Sequence, residues 1–319
     1  MKKILCVLMS CLLFVMAGCS GHSKNLKFGA ADIGGVYYSF ASTFTQLADK
    51  EIDGYTFETK TTAGSVANLR LISDGYIDLA IAQADLLSDA YNATGTFADK
   101  KYQKGYKAVA SLYTECCQIV VRKDSGITGI DDLINKTVSV GASESGSEKN
   151  AEQILKMSGI TDELINKVNM DYTEAAEKLK AGEIDAFFCT AGTRTEVIGQ
   201  LSKECDICLI SLDDKCIDKM LSAYSLCEKY TIPAGTYNGQ DSDVTTIGVK
   251  AVLIAKQSLS DDVIKNVTKT IYEHADDFKY ATSLDISFDI NTAADGVDIS
   301  FHSGAAAYYT ERGINVLTE

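Results

Sequence analysis

Residues 29–35 read GAADIGG and residues 141–147 read GASESGS, 112 positions apart. Glycine and small residues at this density let a backbone approach a ligand closely. A helix begun there points its first unpaired N–H groups, and a partial positive charge, at that ligand. The chemistry on offer is capture of an anion. Neither stretch is a phosphate loop, because Gly-Lys-Ser/Thr is missing, and neither has the GxGxxG spacing of a dinucleotide fingerprint. A carboxylate is the natural smaller guest. Gly34, Gly35 and Gly146 would make the turns, while Ser143, Ser145 and Ser147 would add hydroxyl donors or simply cap the helix.

Other residues with suitable chemistry stand at comparable places. Tyr37 and Tyr38 sit just inside the first helix, and Tyr37 is the one expected to cover a ligand. Gly64-Ser65 precedes the helical run Val66, Leu69, Ile72 and offers a third helix start, or a plain capped helix. Gln83 and Asp85 follow an apolar strand, where an amide and a carboxylate can meet an amino group. Tyr237 follows the single proline, Pro233, as a lid residue or a surface tyrosine. A helix terminus contributes about 0.3–2 kcal/mol to a nearby anion, and a hydrogen bond to a charged group about 1.5–3. Two termini and several such bonds can exceed the roughly 8 kcal/mol of micromolar binding.

The elements that must hold these residues are duplicated. Each Gly-rich loop follows a short apolar run, Leu26-Lys27-Phe28 or Thr137-Val138-Ser139-Val140, and leads into helical periodicity. The helix faces are Tyr37, Phe40, Phe44 and Leu47 in one copy, and Ala151, Ile154 and Leu155 in the other, where Gly159 stops it. Farther on, Gly75-Tyr76-Ile77-Asp78 and Gly182-Glu183-Ile184-Asp185 each end a helix and open an apolar strand, 46 and 41 residues after the first glycine of their copy. The strands run Leu79-Ala80-Ile81-Ala82 and Ala186-Phe187-Phe188-Cys189; small polar loops follow, the second being Thr190-Ala191-Gly192. Strands alternating with helices predict an α/β protein. A third echo joins Gln118-Ile119-Val120-Val121 to Ile130-Asp131-Asp132-Leu133, and Val249-Lys250-Ala251-Val252 to Ser260-Asp261-Asp262-Val263, each as a strand and a capped helix start. We expect two lobes, residues 26–113 with 249–319 and residues 114–248, joined by a hinge of two crossover strands. Both Gly-rich turns would then face one cleft, since ligands bind beyond the carboxyl ends of such strands.

Lys2 and Lys3 followed by the apolar residues 4–15 read as a secretory signal, residues 1–18. Met16-Ala17-Gly18-Cys19 looks like a bacterial lipobox. It implies lipid on Cys19, a tether over residues 19–25 and an extracytoplasmic body anchored to a bacterial membrane. Loss of Lys2 and Lys3 takes the formal charge from −14 to −16, an acidic body that argues against nucleic acid and against anionic lipid. Seven cysteines remain, with one CxxC at Cys205-Asp206-Ile207-Cys208 and no nearby histidine. They are expected to pack as free small hydrophobes rather than to hold a metal. With only His22, His274 and His302, and neither a Gly-x-Ser-x-Gly elbow nor HExxH, no enzyme and no cofactor are expected.

Six segments in order carry a family resemblance: GAADIGGVYYSFASTFTQLA, TTAGSVANLRLISDGYIDLAIAQADLLSDAYNA, ASLYTECCQIVVRKDSGITGIDDL, VSVGASESGSEKNAEQIL, GEIDAFFCTAG and TIPAGTYNGQDSDVTTIGVKAVLIA. The chain resembles the TAXI branch of solute-binding proteins of tripartite ATP-independent periplasmic (TRAP) transporters. The resemblance implies a type II periplasmic-binding-protein-like fold with a parallel or mixed sheet in each lobe. It also implies a monomer that binds a small carboxylate, glutamate-like or a dicarboxylate, and delivers it to a cation-coupled permease. Carried over by position, the cleft motifs are Gly34-Gly35-Val36-Tyr37, Gly64-Ser65, Gln83-Ala84-Asp85, the loop from Ser143 through Ser147, Thr190-Ala191-Gly192 and Tyr237. Ser143-Glu144 departs from the usual Pro-Gly, and Thr193-Arg194-Thr195 from the usual Leu-Pro-Thr; Arg194 would face a second ligand carboxylate or the rim. Other readings are a binding protein of an ATP-driven importer, a ligand sensor, and a surface antigen or adhesin without a small ligand.

Overall fold

A computed structural model describes residues 24–99, 104–283 and 288–318. The signal sequence and Cys19 lie outside the described residues. One mixed sheet runs through the molecule in the order β2-β1-β3-β10-β4-β7-β5-β6, with β8 added to β4 and β9 to β10. Its first half holds β1 (Lys24–Gly29), β2 (Tyr55–Lys60) and β3 (Leu79–Gln83), all parallel; its second holds β5 (Thr137–Ser139), β6 (Asn166–Val168), β7 (Ala186–Ala191), β8 (Ile207–Leu209) and β9 (Cys227–Ile232), and the long strands β4 (Tyr106–Arg122) and β10 (Val244–Lys256) run through both. From each outer edge inward the two ends match. Three parallel strands, β2-β1-β3 or β6-β5-β7, meet one long antiparallel strand, β10 or β4. The periplasmic-binding-protein-like α/β architecture expected from the sequence is the one present. Lys24 and Asn25, assigned by sequence to the tether, belong to β1.

The repeated Ile-Asp motif makes the same bonds twice. Asp78 Oδ2 accepts the Lys27 N–H at 2.9 Å while the Asp78 N–H donates to the Lys27 carbonyl at 2.8 Å. Asp185 does the same with Thr137, at 2.8 Å in both directions. A carboxylate at the foot of the third strand thereby fixes the register of the first, and the strand ends carrying the Gly-rich turns are set level. The glycines that precede these motifs, Gly75 and Gly182, have φ of +83° and +74° and close their helices in the left-handed turn.

Helices α1 (Val36–Glu51), α2 (Ser65–Ser73) and α3 (Ala84–Asn92) follow the first-half strands, and α4 (Gly146–Met157), α5 (Tyr172–Ala181), α6 (Glu196–Glu204) and α7 (Asp214–Ala223) those of the second. The chain then returns along β10 to α8 (Asp261–Glu273), α9 (Ala275–Thr282) and α10 (Ser303–Thr310), beside α1. α1 buries Val36, Tyr37, Phe40, Ala41, Phe44 and Ala48, the three-and-four spacing that puts one face on the core. Phe40 stacks on Phe278 with centroids 4.4 Å apart, while Phe28 and Phe57 meet Phe44 edge-on. In the second half Ile154 and Leu155 of α4 pack with Val138, Phe188, Ile217 and Met220.

One echo is imperfect. Asp261 and Asp262 open α8, but Ile130–Leu133 is a single 3-10 turn. Asp132 Oδ2 there takes the N–H groups of Thr128 and Gly129, at 2.8 and 3.1 Å, folding the carboxylate back on the preceding loop. Asn135, in the left-handed region at φ +64°, then turns the chain into β5.

Candidate functional site

Four helix starts surround one pocket between the halves of the sheet. Gly35 and Val36 come from α1, Gly64 and Ser65 from α2, Ser145 and Gly146 from α4, and Tyr172 from α5. The β1–α1, β3–α3 and β5–α4 turns fall there because β1 and β3 run opposite to β5 and β7, so the carboxyl ends of the two sets point at each other across the pocket, and Thr190 and Ala191 of β7 complete the wall. The space amounts to about 390 Å³ including its mouth. Contacts across its rim hold the two halves against each other.

The seam between them is tight. Gly64 has φ +117°, and a side chain there would come within 3.4 Å of the Ser145 Cα. A Cβ on Gly146 would stand 2.4 Å from Gln83 Oε1. The Ala67 N–H donates to the Glu144 carbonyl at 3.1 Å, and Arg70 grips the Glu144 carboxylate through Nε at 3.1 Å and a terminal nitrogen at 2.6 Å. Glu144, at φ +65°, therefore spends its carboxylate on the opposite half.

The pocket is electrically lopsided. None of its lining residues is Lys, Arg or His, while Asp32 and Glu115 are acids. Glu115, on β4, is 3% exposed, and its Oε2 accepts the Tyr37 hydroxyl at 2.8 Å. Burial pushes its carboxyl up to about 8, against the lowering by hydrogen bonds from Tyr37 and Gln83; nearby Asp85 raises it further. Asp32 rises to about 6, chiefly through burial and then through Asp171. Asp85 also rises to about 6 through burial. The partial positive charge comes from backbone alone: α1 and α2 have neither a side-chain cap nor an acid in the first turn, so their leading N–H groups are uncompensated apart from that of Ala67, which the Glu144 carbonyl takes.

Of the residues proposed from sequence, Gly35, Tyr37, Gly64, Ser65 and Gln83 line the pocket from the first half. Ser145, Gly146, Ser147, Thr190 and Ala191 line it from the second. The hydroxyl roles differ from expectation. Ser145 Oγ accepts the Glu148 N–H at 3.0 Å as the α4 cap. Ser147 Oγ accepts the Thr190 N–H at 2.8 Å and lies 2.6 Å from the Tyr172 hydroxyl, which donates to the Thr190 carbonyl at 3.0 Å; Ser147 thus donates to Tyr172 and braces its own half. Ser65 Oγ accepts the Gln83 N–H at 3.1 Å.

Five candidates stand elsewhere. Ser143 is exposed on an outer groove with Thr61 and Asn169, because the Glu144 turn throws it outward. Gly34, at φ +89°, faces a separate groove beside α5 and α6. Asp85 lies behind Gln83, off the pocket wall and next to Gln153. Gly192 is buried and its carbonyl accepts the Thr195 hydroxyl at 2.7 Å. Tyr237 is no lid: it is 5% exposed, donates to Gln118 Oε1 at 2.5 Å and accepts the Thr195 N–H at 3.1 Å. Arg194 is exposed and off the pocket wall. Glu115, Asp32 and Tyr172 were not anticipated, although an acid inside the strand-like run SLYTECCQIVV was a visible anomaly. The seven described cysteines are free thiols, five of them buried, and burial pushes Cys117 up to about 12.

The NMT1-like family profile matches residues 28–313. The chain belongs to that family. Among solved structures it is similar in fold to the periplasmic binding protein BugD, with TM-score 0.55 and 11% identity over 81% of this chain and 85% of that one. It is also similar to a putative L-cystine ABC transporter protein from Listeria monocytogenes, with TM-score 0.52 and 14% identity over 82% and 94%. An ancestral arginine-binding protein bound to arginine gives TM-score 0.50 and 15% identity over 82% and 98%. At such identities the likeness is one of fold. No helix among the described residues is long and apolar enough to cross a membrane.

Proposed function

We propose that this NMT1-like protein is an extracytoplasmic solute-binding protein that captures a small carboxylate between two lobes and hands it to a membrane importer. The observation that carries this is the convergence of uncapped helix starts from α1 and α2, with the α4 start opposite, on one pocket lacking any basic side chain. Residues 26–113 with 249–319 form one lobe and residues 114–248 the other. The crossings are neighbours, since Val249 pairs with Glu115 and Gly248 with Cys116. An amino-acid-sized ligand enters with the lobes parted, bridges them, and shifts the balance to the shut form through its higher affinity for that form. The protein acts as a monomer, without catalysis or cofactor, and Cys19 carries its lipid anchor.

For the importer, the comparisons give more support to an ATP-driven system, because a neighbour of nearly full coverage is described as an ABC transporter component. The order of cleft motifs along the sequence supports the second reading, a cation-coupled TRAP permease of the TAXI type. An adjacent ATPase gene favours the first and an adjacent gene for a large multi-span permease the second. Calorimetry with glutamate, glutamine, 2-oxoglutarate and C4 dicarboxylates tests the capture itself. Micromolar binding of at least one is expected, and no heat with any of them overturns the reading. Cys19→Ser should move the protein from the membrane fraction to the soluble one.

A further inference from the structure

We propose that Glu115 is the seat of a ligand ammonium group, so that the protein takes a zwitterionic α-amino acid rather than a dicarboxylate. This rests on the carboxylate-capture reading and names its substrate class. The pocket has two unlike sides. The starts of α1 and α2 offer backbone N–H groups without a side-chain cap, which suits a carboxylate. Beside them, tied in through Tyr37 to Glu115 and through Ser65 to the Gln83 N–H, is a set of acceptors. Glu115 is buried and engaged through Oε2 by Tyr37 alone among hydroxyl donors. Gln83, 1% exposed and on the same wall, has an Oε1 with no hydrogen-bond partner among the described residues.

Among the described residues no cation balances this acid. The titratable groups that face Glu115 are Tyr37 on α1, Asp85 at the start of α3, Tyr113 and Cys116 on its own strand, Tyr172 on α5 and Cys189 on β7. Asp32 adds a further carboxyl to the pocket wall. Each of these is neutral or negative when titrated. A buried carboxylate with no counter-charge is costly and stays protonated, whereas a cation placed against it favours the ionised form. An ammonium with its donors, set between Glu115 and Gln83 Oε1, meets both needs, and the ligand carboxylate at the helix starts completes the match.

The sign of the proton change separates the two ligand classes. With the carboxyl raised to about 8 in the free protein, ionisation by an ammonium releases a proton. Affinity for an amino acid then climbs by up to about tenfold per pH unit from 6.5 towards 8, and levels off above it. A dicarboxylate that used Glu115 as a neutral donor would bind with little pH dependence below about 8 and weaken above it. Calorimetry of the full chain at pH 6.5, 7.5 and 8.5, in two buffers of different ionisation heat, reads this directly with L-alanine, L-glutamate, L-glutamine, succinate and 2-oxoglutarate. We expect amino acids alone to bind, with proton release, and Glu115→Gln to lose at least 100-fold in affinity while its thermal midpoint is unchanged or raised. Should Glu115→Gln fail to fold, the pH slope of the wild-type protein decides alone. Dicarboxylate binding that weakens as pH rises overturns the ammonium assignment and leaves carboxylate capture standing. Silence from all five probes rejects both.

Discussion

The two Gly-Ala-x-x-x-Gly turns begin alike and finish differently. α1 starts at Gly35, which has no side chain to cap it, and its first turn carries no acid. α4 starts at Ser145, which caps the Glu148 N–H, and Glu148 Oε2 accepts the Glu144 N–H at 3.0 Å. The second turn therefore satisfies its own donors and places a carboxylate over its own dipole. The first is left open, and the start of α2 gives up only its Ala67 N–H, to the Glu144 carbonyl. Duplicated local structure thus ends in two ways: one copy leaves a helix start open to the pocket, while the other satisfies its own and packs against Gln83 and Arg70.

That division can be broken from the seam. Gly146→Val sets a branched side chain where even a Cβ stands 2.4 Å from Gln83 Oε1. We expect at least 100-fold loss of affinity by calorimetry with a thermal midpoint within a few degrees of wild type; normal binding would show that the seam does not control capture. Making the first turn resemble the second is the next largest change. Gly35→Asp gives α1 its own capping carboxylate and should cost about tenfold or more in affinity while stabilising the ligand-free protein by about 0.5–1 kcal/mol. The converse is smaller. Ser145→Ala removes the α4 cap and should destabilise by about 1 kcal/mol in chemical unfolding, with affinity changed no more than a few-fold. Equal affinity losses for Gly35→Asp and Ser145→Ala would erase the distinction. The smallest effect should come from Arg70→Ala. Its pairing with Glu144 crosses the seam, but the two side chains are 31% and 42% exposed, and such pairs contribute little. Two- to three-fold faster ligand release in stopped-flow, shrinking further at high salt, is the expected outcome.

What the sequence disclosed follows the range of the interactions involved. The paired turns, the Ile77-Asp78 and Ile184-Asp185 motifs and the long crossings were readable because each is set by residues close in the chain. Gly64 and Ser65, singled out before a helical run, and Gly146 and Thr190, singled out after a strand, line the pocket. The direction of a turn was not readable. Ser143 faces outward only because Glu144 takes a left-handed conformation and is held there by Arg70, 74 residues away. Tyr237 looked like a lid and instead ties β4 to the loop before α6, through Gln118 and Thr195. Glu115 escaped notice for the same reason. Its partner Tyr37 lies 78 residues off, and no local pattern marks a strand acid as a ligand group.

Glu115 pairs in register with Val249, beside the Cys116–Gly248 pair, at the place where both long strands pass from one half of the sheet to the other. On a door, a hand laid at the spindle travels hardly at all, and a push there exerts almost no torque. If the halves swing about β4 and β10, whatever Glu115 grips is gripped alike with the jaws wide or shut. Recognition of the guest's identity and the leverage that draws the jaws together then belong to different radii of the same molecule: the first at the spindle, the second away from it, along the seam where Gly64 meets Ser145.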